Sequence, residues 1–356
     1  MLKRMRILVI GGAGYIGSHM CKMLADHGHS VCILDDLSTG NRQAARFGRL
    51  VIGDVANIAV VHGIFSNFKP DAVVHFAGKS VVAESISDPA LYYRGNFMTT
   101  LGLADYMRQE PGRPLIFSST AAVYGTPTGP ITEEHGCHPI NPYGASKLAA
   151  ERMLLDYWLA YKQPSMAFRY FNAAGADPSA ELGEAHEPET HLIPLVLDAA
   201  LGKAKAVTLY GSDYETKDGT CVRDFVHVND ICAAHLLGIE HLLRSPTSTS
   251  VNLGNGQGHS VREVLAAAQA VIGRPVPHQI GPRRTGDPAY LVANSAYAKT
   301  LLGWKPQMPD IEAIIETAWR WHRQGKFAGI GEPQSSTLIG TWQPPNGAPA
   351  TVPAVA

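Results

Sequence analysis

A tyrosine and a lysine stand four residues apart in the segment NPYGASKLAAE, residues 141–151. The pair Asn141-Pro142 is typical of a helix start, and residues four apart share one helix face, so Tyr143 and Lys147 should lie side by side. An ammonium about 5 Å away, at an effective dielectric of about 20, would lower the pKa of a phenol by about two units. Tyr143 could then act as a general base near neutral pH. Taken alone, such a pair more often lies on the surface without a catalytic role, so the choice between the two interpretations depends on the rest of the chain.

Three glycines follow the first apolar run, in the segment VIGGAGYIGSH. Gly11, Gly14 and Gly17 are spaced three apart between a strand pattern and a helix pattern. Glycine lets the backbone turn sharply and approach a pyrophosphate at the helix N-terminus. Asp35 ends the next apolar run, where a carboxylate can hold the adenosine ribose and disfavours a 2′-phosphate. The pattern predicts an NAD site rather than an NADP site. Asp54, after the following run, could reach the adenine ring or form only a turn.

Hydroxyl side chains end a later apolar run, in FSSTAAVYG. Ser118, Ser119 and Thr120 come at the carboxyl end of the predicted strand 114–119. Ligands of open parallel sheets bind beyond the carboxyl ends of the strands, so a hydroxyl here could bond a substrate. A simple strand-end cap is the structural alternative for this feature alone.

The elements that must position these residues alternate along the first half of the chain. Amphipathic helix patterns separate apolar runs at 6–10, 31–35, 71–76, 114–119 and 166–171. This alternation predicts an α/β fold, a Rossmann-type doubly wound parallel sheet with helices on both faces.

A polar loop at 177–190 leads from this first unit into a smaller C-terminal α/β unit. The second unit has predicted helices near 192–201, 260–272 and 310–324, and strands at 206–210 and 225–228. We expect an NAD-binding domain over 1–175, to which later segments could return, and a substrate domain over 176–326. A Pro/Gly/Ala-rich tail over 327–356 is expected to be mobile and outside the catalytic fold.

The bulk composition excludes several classes of function. A formal charge of −1 leaves no electrostatic footprint for nucleic acid or an anionic membrane. The five cysteines form no CxxC pair, which favours a reducing, cytoplasmic compartment. Cys137 and His138, with His135 nearby, lack a second cluster, so we expect no metal. The apolar stretch after the basic start is too short for a signal core or a membrane span.

The glycine pattern, Asp35, the hydroxyl run and the Tyr143–Lys147 pair occur in one order that resembles the extended short-chain dehydrogenase/reductase family. Within it, the chain is most similar, over about residues 6–324, to the UDP-glucose (UDP-galactose) 4-epimerases. The segments that carry this likeness include HFAG, RYFNAAGAD, HLIPLVLDAALG, DGTCVRDFVHVND, NLGNG, RRTGDP and LGWKP. The resemblance implies an isomerase with NAD as resident cofactor and a UDP-sugar as substrate. It also implies inversion at C4 of a UDP-hexose through a transient 4-keto intermediate, in a homodimer formed by helices of the first domain.

The resemblance also implies roles for individual residues. Tyr143 would take the proton of the sugar 4-hydroxyl, Thr120 would hydrogen-bond that oxygen, and Lys147 would bond the nicotinamide ribose. The implied cofactor contacts are Gly11, Gly14, Tyr15, Ile16, Gly17, Asp35, Asp36, Leu37, Ser38, Thr39, Gly40, Asp54, Val55, Phe76, Ala77, Gly78, Lys79, Tyr143, Lys147 and Phe171. Arginines would clamp the diphosphate and an aspartate the uridine ribose. The implied substrate contacts are Thr120, Asn172, Leu192, Arg223, Arg284, Asp287 and Leu291.

Departures from the family pattern bear on the substrate. Alanines at 121–122 replace the acidic pair of nucleotide-sugar dehydratases, which argues against elimination. Gly95 stands where an asparagine near the cofactor is usual, and Phe225 replaces a common tyrosine. Leu291 falls at the position that admits N-acetyl sugars, and its bulk favours plain hexoses. The alternatives are a UDP-xylose/UDP-arabinose 4-epimerase, a UDP-N-acetylglucosamine 4-epimerase and, from another class, a non-catalytic NAD-binding regulator.

Overall fold

The predicted apolar runs of the first half become strands of one parallel sheet. The computed structural model describes residues 4–284 and 286–327. The strands, in chain order, are β1 (Arg6–Ile10), β2 (Ser30–Asp35), β3 (Arg49–Ile52), β4 (Ala72–His75), β5 (Leu115–Thr120), β6 (Ser165–Tyr170), β7 (Asn172–Ala174), β8 (Val207–Tyr210), β9 (Val222–His227), β10 (Ser248–Leu253), β11 (Gly258–Ser260), β12 (His278–Gly281) and β13 (Tyr290–Leu291).

Helices connect most of these strands. They are α1 (Tyr15–Asp26), α2 (Ile58–Phe68), α3 (Val82–Ser87), α4 (Pro89–Tyr92), α5 (Thr99–Met107), α6 (Pro142–Tyr161), α7 (Leu192–Ala200), α8 (Val228–Arg244), α9 (Val261–Ile272), α10 (Ala296–Leu302) and α11 (Ile311–Gln324). Short 3₁₀ turns occupy Arg42–Ala44 and Ala121–Tyr124, and a π-helix over Tyr93–Met98 joins α4 to α5. Among the described residues, no helix combines the length and the apolar character that crossing a membrane requires.

The central sheet has seven parallel strands in the order β10-β6-β5-β4-β1-β2-β3. The chain winds outward from β1 in both directions, so a topological switch point lies between β1 and β4, where open α/β sheets bind ligands. This topology confirms the predicted Rossmann-type fold. Strand β10 comes from beyond residue 175, so a later segment does return to the first sheet.

Both faces of the sheet are buried, because side chains alternate between them along each strand. In β1, Ile7 and Val9 enter the core that contains residues of α1 and α8. Leu8 and Ile10 enter the core on the opposite face, which contains residues of α2, α5 and α6. The strands therefore have the continuous apolar sequence of a doubly covered sheet rather than an alternating one.

A smaller assembly begins where the chain leaves the carboxyl end of β6, since β7 joins a second sheet. Strand β9 pairs with β7, β11 and β13, and β8 pairs with β12. Helices α7, α9 and α11 enclose its core together with β8 and β9. At the end of the described chain, Phe327 is buried against Trp321, with ring centroids 5.0 Å apart. The rest of the predicted tail lies outside the described residues.

Candidate active site

Helix α6 carries the tyrosine–lysine pair, and its start is fixed as the sequence predicts. The Asn141 Oδ1 accepts a hydrogen bond from the Gly144 N–H at 2.9 Å, and Pro142 occupies the first turn. One turn later, Lys147 is buried, and its Nζ donates to the Ser118 carbonyl at 2.9 Å. The same Nζ lies 4.8 Å from the centroid of the Phe117 ring. Burial lowers the pKa of Lys147 to about 8, although Glu151 opposes the shift.

The predicted lowering of the Tyr143 pKa by Lys147 is wrong for the protein alone. Burial raises the pKa of the Tyr143 phenol, and only a hydrogen bond with the Thr120 hydroxyl partly opposes this shift. The reason is that the Lys147 ammonium donates to the Ser118 carbonyl, and that burial lowers its own pKa and so disfavours its charged form. Thr120 and Tyr143 do meet, as expected, at the carboxyl end of β5.

The glycine-rich turn after β1 has the shape of a phosphate cradle. Gly11 has φ +80°, and a Cβ there would lie 2.5 Å from the Ala77 backbone nitrogen. A Cβ on Gly17 would lie 2.1 Å from the Gly11 carbonyl oxygen, so only glycine lets α1 approach β1 this closely. No side chain caps the N-terminus of α1, and its first turn contains no acidic residue. These groups fit the pyrophosphate of a dinucleotide, for which helix N–H groups are donors.

The buried Asp35 carboxylate, predicted to hold the adenosine ribose, is fixed beside this cradle by two backbone donors. Its Oδ2 accepts from the Ala13 N–H and its Oδ1 from the Leu37 N–H, both at 2.9 Å. Burial raises the pKa of Asp35, and the two backbone donors oppose that shift. Asp54 accepts from the Ala56 N–H at 2.8 Å and is exposed, so it forms a turn and still leaves oxygen lone pairs free for a ligand.

The other predicted cofactor residues gather at the same edge of the sheet, because parallel strands end together. They follow four neighbouring strands: Gly14, Tyr15 and Ile16 after β1, Asp36, Leu37, Ser38, Thr39 and Gly40 after β2, Val55 after β3, and Phe76, Ala77, Gly78 and Lys79 after β4. The last group also approaches α6. A Cβ on Gly78 would lie 3.2 Å from the Lys147 Nζ and 2.6 Å from the Asn96 Oδ1.

Asn96 is a site residue that the sequence analysis did not assign. It is buried, and its Oδ1 accepts from the Lys79 N–H at 2.7 Å, while its Nδ2 donates to the Ser146 Oγ at 3.0 Å. The π-helix over Tyr93–Met98 turns this residue inward. The asparagine expected in place of Gly95 is therefore present one residue later. The only trace of it in the sequence is its place directly after Gly95; its inward orientation has no local sequence signal.

Two predicted diphosphate and ribose residues are already paired with each other. Arg223 forms an ion pair with Asp287, and its guanidinium also donates to the carbonyls of Val222 and Pro288 at 2.7 Å each. The second predicted arginine, Arg284, lies with its guanidinium 4.0 Å from the centroid of the Tyr210 ring. Tyr210 is about one-third exposed and was not assigned from the sequence.

The remaining predicted residues lie just after β6, on the strands β7 and β13 that pair with β9, and at the start of α7. Phe171 and Leu291 each pack against one apolar cluster that contains Val123 and Leu148, so the structure brings the predicted nicotinamide residue and the predicted selectivity residue to the same region. Asn172 begins β7, opposite Phe225 of β9. Leu192 begins α7, whose N-terminus has no side-chain cap and leaves backbone donors for a ligand.

Fold and site together define a class: a Rossmann-type enzyme with a dinucleotide cradle and a Thr–Tyr–Lys constellation at the switch-point edge. The comparisons with known proteins give the family. A family described as "NAD dependent epimerase/dehydratase family" matches residues 7–254. The chain therefore belongs to this family, within the extended short-chain dehydrogenases/reductases.

Individual relatives are similar over almost their whole length. A UDP-glucose 4-epimerase of Halalkalibacterium halodurans is 46% identical over 321 residues, which cover 90% of this chain and 96% of the relative. The crystal structure of a UDP-glucose 4-epimerase from Brucella ovis in complex with NAD has a TM-score of 0.86 and 46% identity, covering 88% of this chain and 97% of that one. A UDP-glucose 4-epimerase from Bifidobacterium longum in complex with NAD+ and UDP has a TM-score of 0.85 and 37% identity, covering 90% and 98%.

Proposed function

We propose that this protein interconverts UDP-glucose and UDP-galactose by NAD-dependent epimerisation at C4 of the hexose. The observation that carries the proposal is the meeting of Thr120 and Tyr143 at the end of β5, with Lys147 one turn along α6 and the glycine cradle across the switch point. Relatives at 46% identity bear the same activity in their names. NAD, when bound, would accept hydride from C4 and return it.

The residues of this chain would divide the remaining work. Tyr143 would take the proton from the sugar 4-hydroxyl and Thr120 would hydrogen-bond the same oxygen. Lys147 would bond the nicotinamide ribose. The positive nicotinamide ring, rather than Lys147 alone, would offset the burial that raises the Tyr143 pKa.

The uridine diphosphate would hold the substrate while its sugar turns over. Arg223 and Arg284 would bind the phosphates, since guanidinium groups match phosphate oxygens bidentately. Asp287, already paired with Arg223, would accept from the uridine ribose. Asn172 and the backbone of Leu192 would complete the contacts. Because the hexose is then held mainly through its nucleotide, the 4-keto sugar can present either face to the cofactor.

A substrate panel tests this function. The protein as purified, with no NAD added, is incubated with UDP-glucose, UDP-xylose or UDP-N-acetylglucosamine, and products are separated by chromatography. We expect conversion of UDP-glucose and little of UDP-N-acetylglucosamine, because the bulky Leu291 side chain would occupy the space that an N-acetyl group requires. If only UDP-xylose were converted, the proposed substrate would be wrong, but the proposed mechanism would still hold. Absence of turnover with all three would refute the proposal.

The assembly proposed with this function is a homodimer. Helix α6 exposes Leu155 and Leu159, four residues apart on one face, and the π-helix that contacts α6 exposes Met98; a second copy would cover these apolar side chains. Leu159→Glu should shift the sedimentation coefficient to that of a monomer. Leu243→Glu, the same change on the exposed face of α8, should not. A wild-type protein that sediments as a monomer would refute the dimer.

We further propose a division of labour along the chain. Residues 1–175, with β10, would bind NAD, and residues 176–326 would bind the UDP-sugar. The five cysteines, all free thiols, suit a reducing, cytoplasmic compartment.

A further inference from the structure

A cluster of carboxylates and imidazoles lies on the loop between β7 and α7, outside the constellation described above. Its members are Glu184, His186, Glu189 and His191, and one ligand atom from each lies within 4.8 Å of the others. We propose that this cluster binds a divalent transition-metal ion such as Zn2+, and that the ion fixes the loop over the cofactor cradle.

The distances suit such an ion. The Glu184 Oε1 lies 3.0 Å from the His186 Nδ1 and 2.8 Å from the His191 Nδ1. The Glu189 carboxylate lies 3.0 Å from the His191 Nδ1 through Oε1 and 3.9 Å from the His186 Nδ1 through Oε2. Tetrahedral ligands about 2.0–2.1 Å from zinc are about 3.3 Å apart. Small rearrangements of these side chains would therefore bring all four atoms to one centre.

An unsatisfied oxygen points to a missing partner in the cluster. The Glu189 side chain is only 7% exposed, and its Oε2 has no hydrogen-bond partner among the described residues. A buried carboxylate oxygen without a donor is costly unless a cation is beside it. The other oxygen, Oε1, is held by the Thr190 and His191 N–H groups at 2.8 and 2.9 Å, which aims Oε2 towards His186.

The charge and the ligand types agree with the same class of ion. Two carboxylates balance a divalent cation once it has displaced the imidazole proton that Glu184 and Glu189 stabilise on His191, and mixed imidazole–carboxylate sets suit zinc and its neighbours rather than Mg2+. The Glu184 side chain is only 4% exposed, whereas that of His191 is 44% exposed, so the site has a closed floor and an open entrance.

The location gives the ion a structural task. The His186 ring packs edge-on against Tyr15 at the start of α1, with centroids 6.2 Å apart and an interplanar angle of 86°. Tyr15 donates in turn to the Gly175 carbonyl at 2.6 Å, where the loop leaves β7. His191 immediately precedes α7. An ion at the cluster would therefore join the starts of two helices through one loop.

Titration with the metal itself tests the inference. Protein dialysed against EDTA and then against metal-free buffer is titrated with ZnCl2 by calorimetry, with MgCl2 as comparison, and its melting temperature is measured with and without zinc. We expect one equivalent of Zn2+ to bind at micromolar or lower concentration, to raise the melting temperature, and to do both far better than Mg2+.

Two glutamine variants locate the binding. Glu189→Gln keeps the amide oxygen that the two backbone N–H groups require but removes the carboxylate, and it should weaken zinc binding at least 10-fold. Glu187→Gln is the same change on the same loop at an exposed residue outside the cluster, and it should bind zinc as the wild type does. Absence of zinc binding by the wild type, or equal binding by Glu189→Gln, would overturn the proposal. In the first case the four side chains form an ion-pair cluster only, and in the second the zinc binds elsewhere.

Discussion

At the residue scale, the chemistry of the site depends on how burial acts on each ionisable group. Tyr143 and Lys147 both lose solvent, and desolvation disfavours the charged form of each, so the pKa of the phenol rises and that of the ammonium falls. The apoprotein therefore keeps Tyr143 as a neutral phenol at physiological pH. A base would be produced only when the cofactor completes the site.

Removal of the phenol should greatly slow turnover without abolishing substrate binding. Tyr143→Phe is expected to reduce kcat by at least about 10²-fold, the usual effect of losing a general base. Thr120→Val removes the hydrogen bond that opposes the rise in the Tyr143 pKa, so its kcat should fall and its pH profile should move to higher pH. Steady-state kinetics between pH 6 and 10 and calorimetry with UDP-glucose would measure both effects. Near-normal turnover by Tyr143→Phe would remove this residue from the mechanism.

A buried ion pair lies one turn along α6 from Lys147. Glu151, one turn after Lys147, accepts bonds from the Arg169 guanidinium, with the shortest at 2.5 Å, and a further bond from Ser119. Glu151 also raises the pKa of Lys147 against the effect of burial.

Glu151→Gln should destabilise the fold, because it leaves the Arg169 cation buried without its partner. Breaking a buried pair in this way costs about 3–5 kcal/mol in the free energy of unfolding. The double variant Glu151→Gln/Arg169→Met should recover most of that loss. Glu110→Gln, which breaks a pair between this exposed glutamate and the partly buried Arg113, should cost less than about 1 kcal/mol. Urea unfolding measures all three, and equal losses for Glu151→Gln and Glu110→Gln would contradict the argument.

At the scale of elements, the sequence predicts where helices and strands begin and end better than it predicts which way a side chain points. The capped start of α6 and the strand β5 follow from local signals, namely Asn141, Pro142 and the apolar run before Ser118. The inward position of Asn96 depends on a π-helix, which has no comparable local signal because it arises from packing against Lys79 and Ser146. The direction in which a side chain of an irregular helix points is therefore the part of the site that local sequence does not determine.

Gly17→Ala should separate α1 from β1 and abolish dinucleotide binding. The new Cβ would lie 2.1 Å from the Gly11 carbonyl oxygen and 2.9 Å from the Gly12 Cα, both backbone atoms that cannot move alone. We expect a loss of about 1–3 kcal/mol in the free energy of unfolding, as for other overpacked sites, and at least a 10-fold loss of affinity for NAD.

The matched control for this substitution lies in α2. A Cβ on Gly63 would have no neighbouring atom within 4 Å, so Gly63→Ala should stabilise the protein by about 0.5–1 kcal/mol through its helix propensity. Denaturation and NAD titration of the two variants provide the comparison. Unchanged NAD affinity in Gly17→Ala would show that the close approach of α1 is not needed for the cradle.

At the scale of the whole molecule, long-range pairings escaped the sequence analysis while the architecture did not. Continuous apolar runs separated by helix patterns were enough to predict the sheet, because its strands are buried on both faces. The ion pair between Arg223 and Asp287 joins residues that are 64 apart in the second unit, and the cluster around Glu184 depends on how the loop before α7 folds back on itself. Each of these side chains would in isolation be taken for a surface charge.

The same burial makes stability sensitive to mild acid. His75 and His235 are fully buried, and burial lowers their pKa values from 6.5 to about 3 and about 4. The Lys147 ammonium adds to the shift of His75, whereas the Ile231 carbonyl opposes that of His235. Below about pH 6.5 the unfolded chain binds protons that the folded chain excludes, so the free energy of unfolding falls as the pH falls from about 6.5 to 4.

His235→Phe should flatten this acid dependence. The ring lies among aromatic neighbours, with centroids 4.8 Å from those of Phe76 and Phe168, so phenylalanine fits without a charge to exclude. Each excluded proton contributes up to about 3 kcal/mol across the window, at 1.36 kcal/mol for each pKa unit. Urea unfolding at pH 7, 6, 5 and 4 should give a smaller fall for His235→Phe than for the wild type, while His278→Phe, at an exposed histidine, should follow the wild type. If the free energy of unfolding fell equally with pH in His235→Phe and in the wild type, burial of His235 would not be a source of the acid dependence.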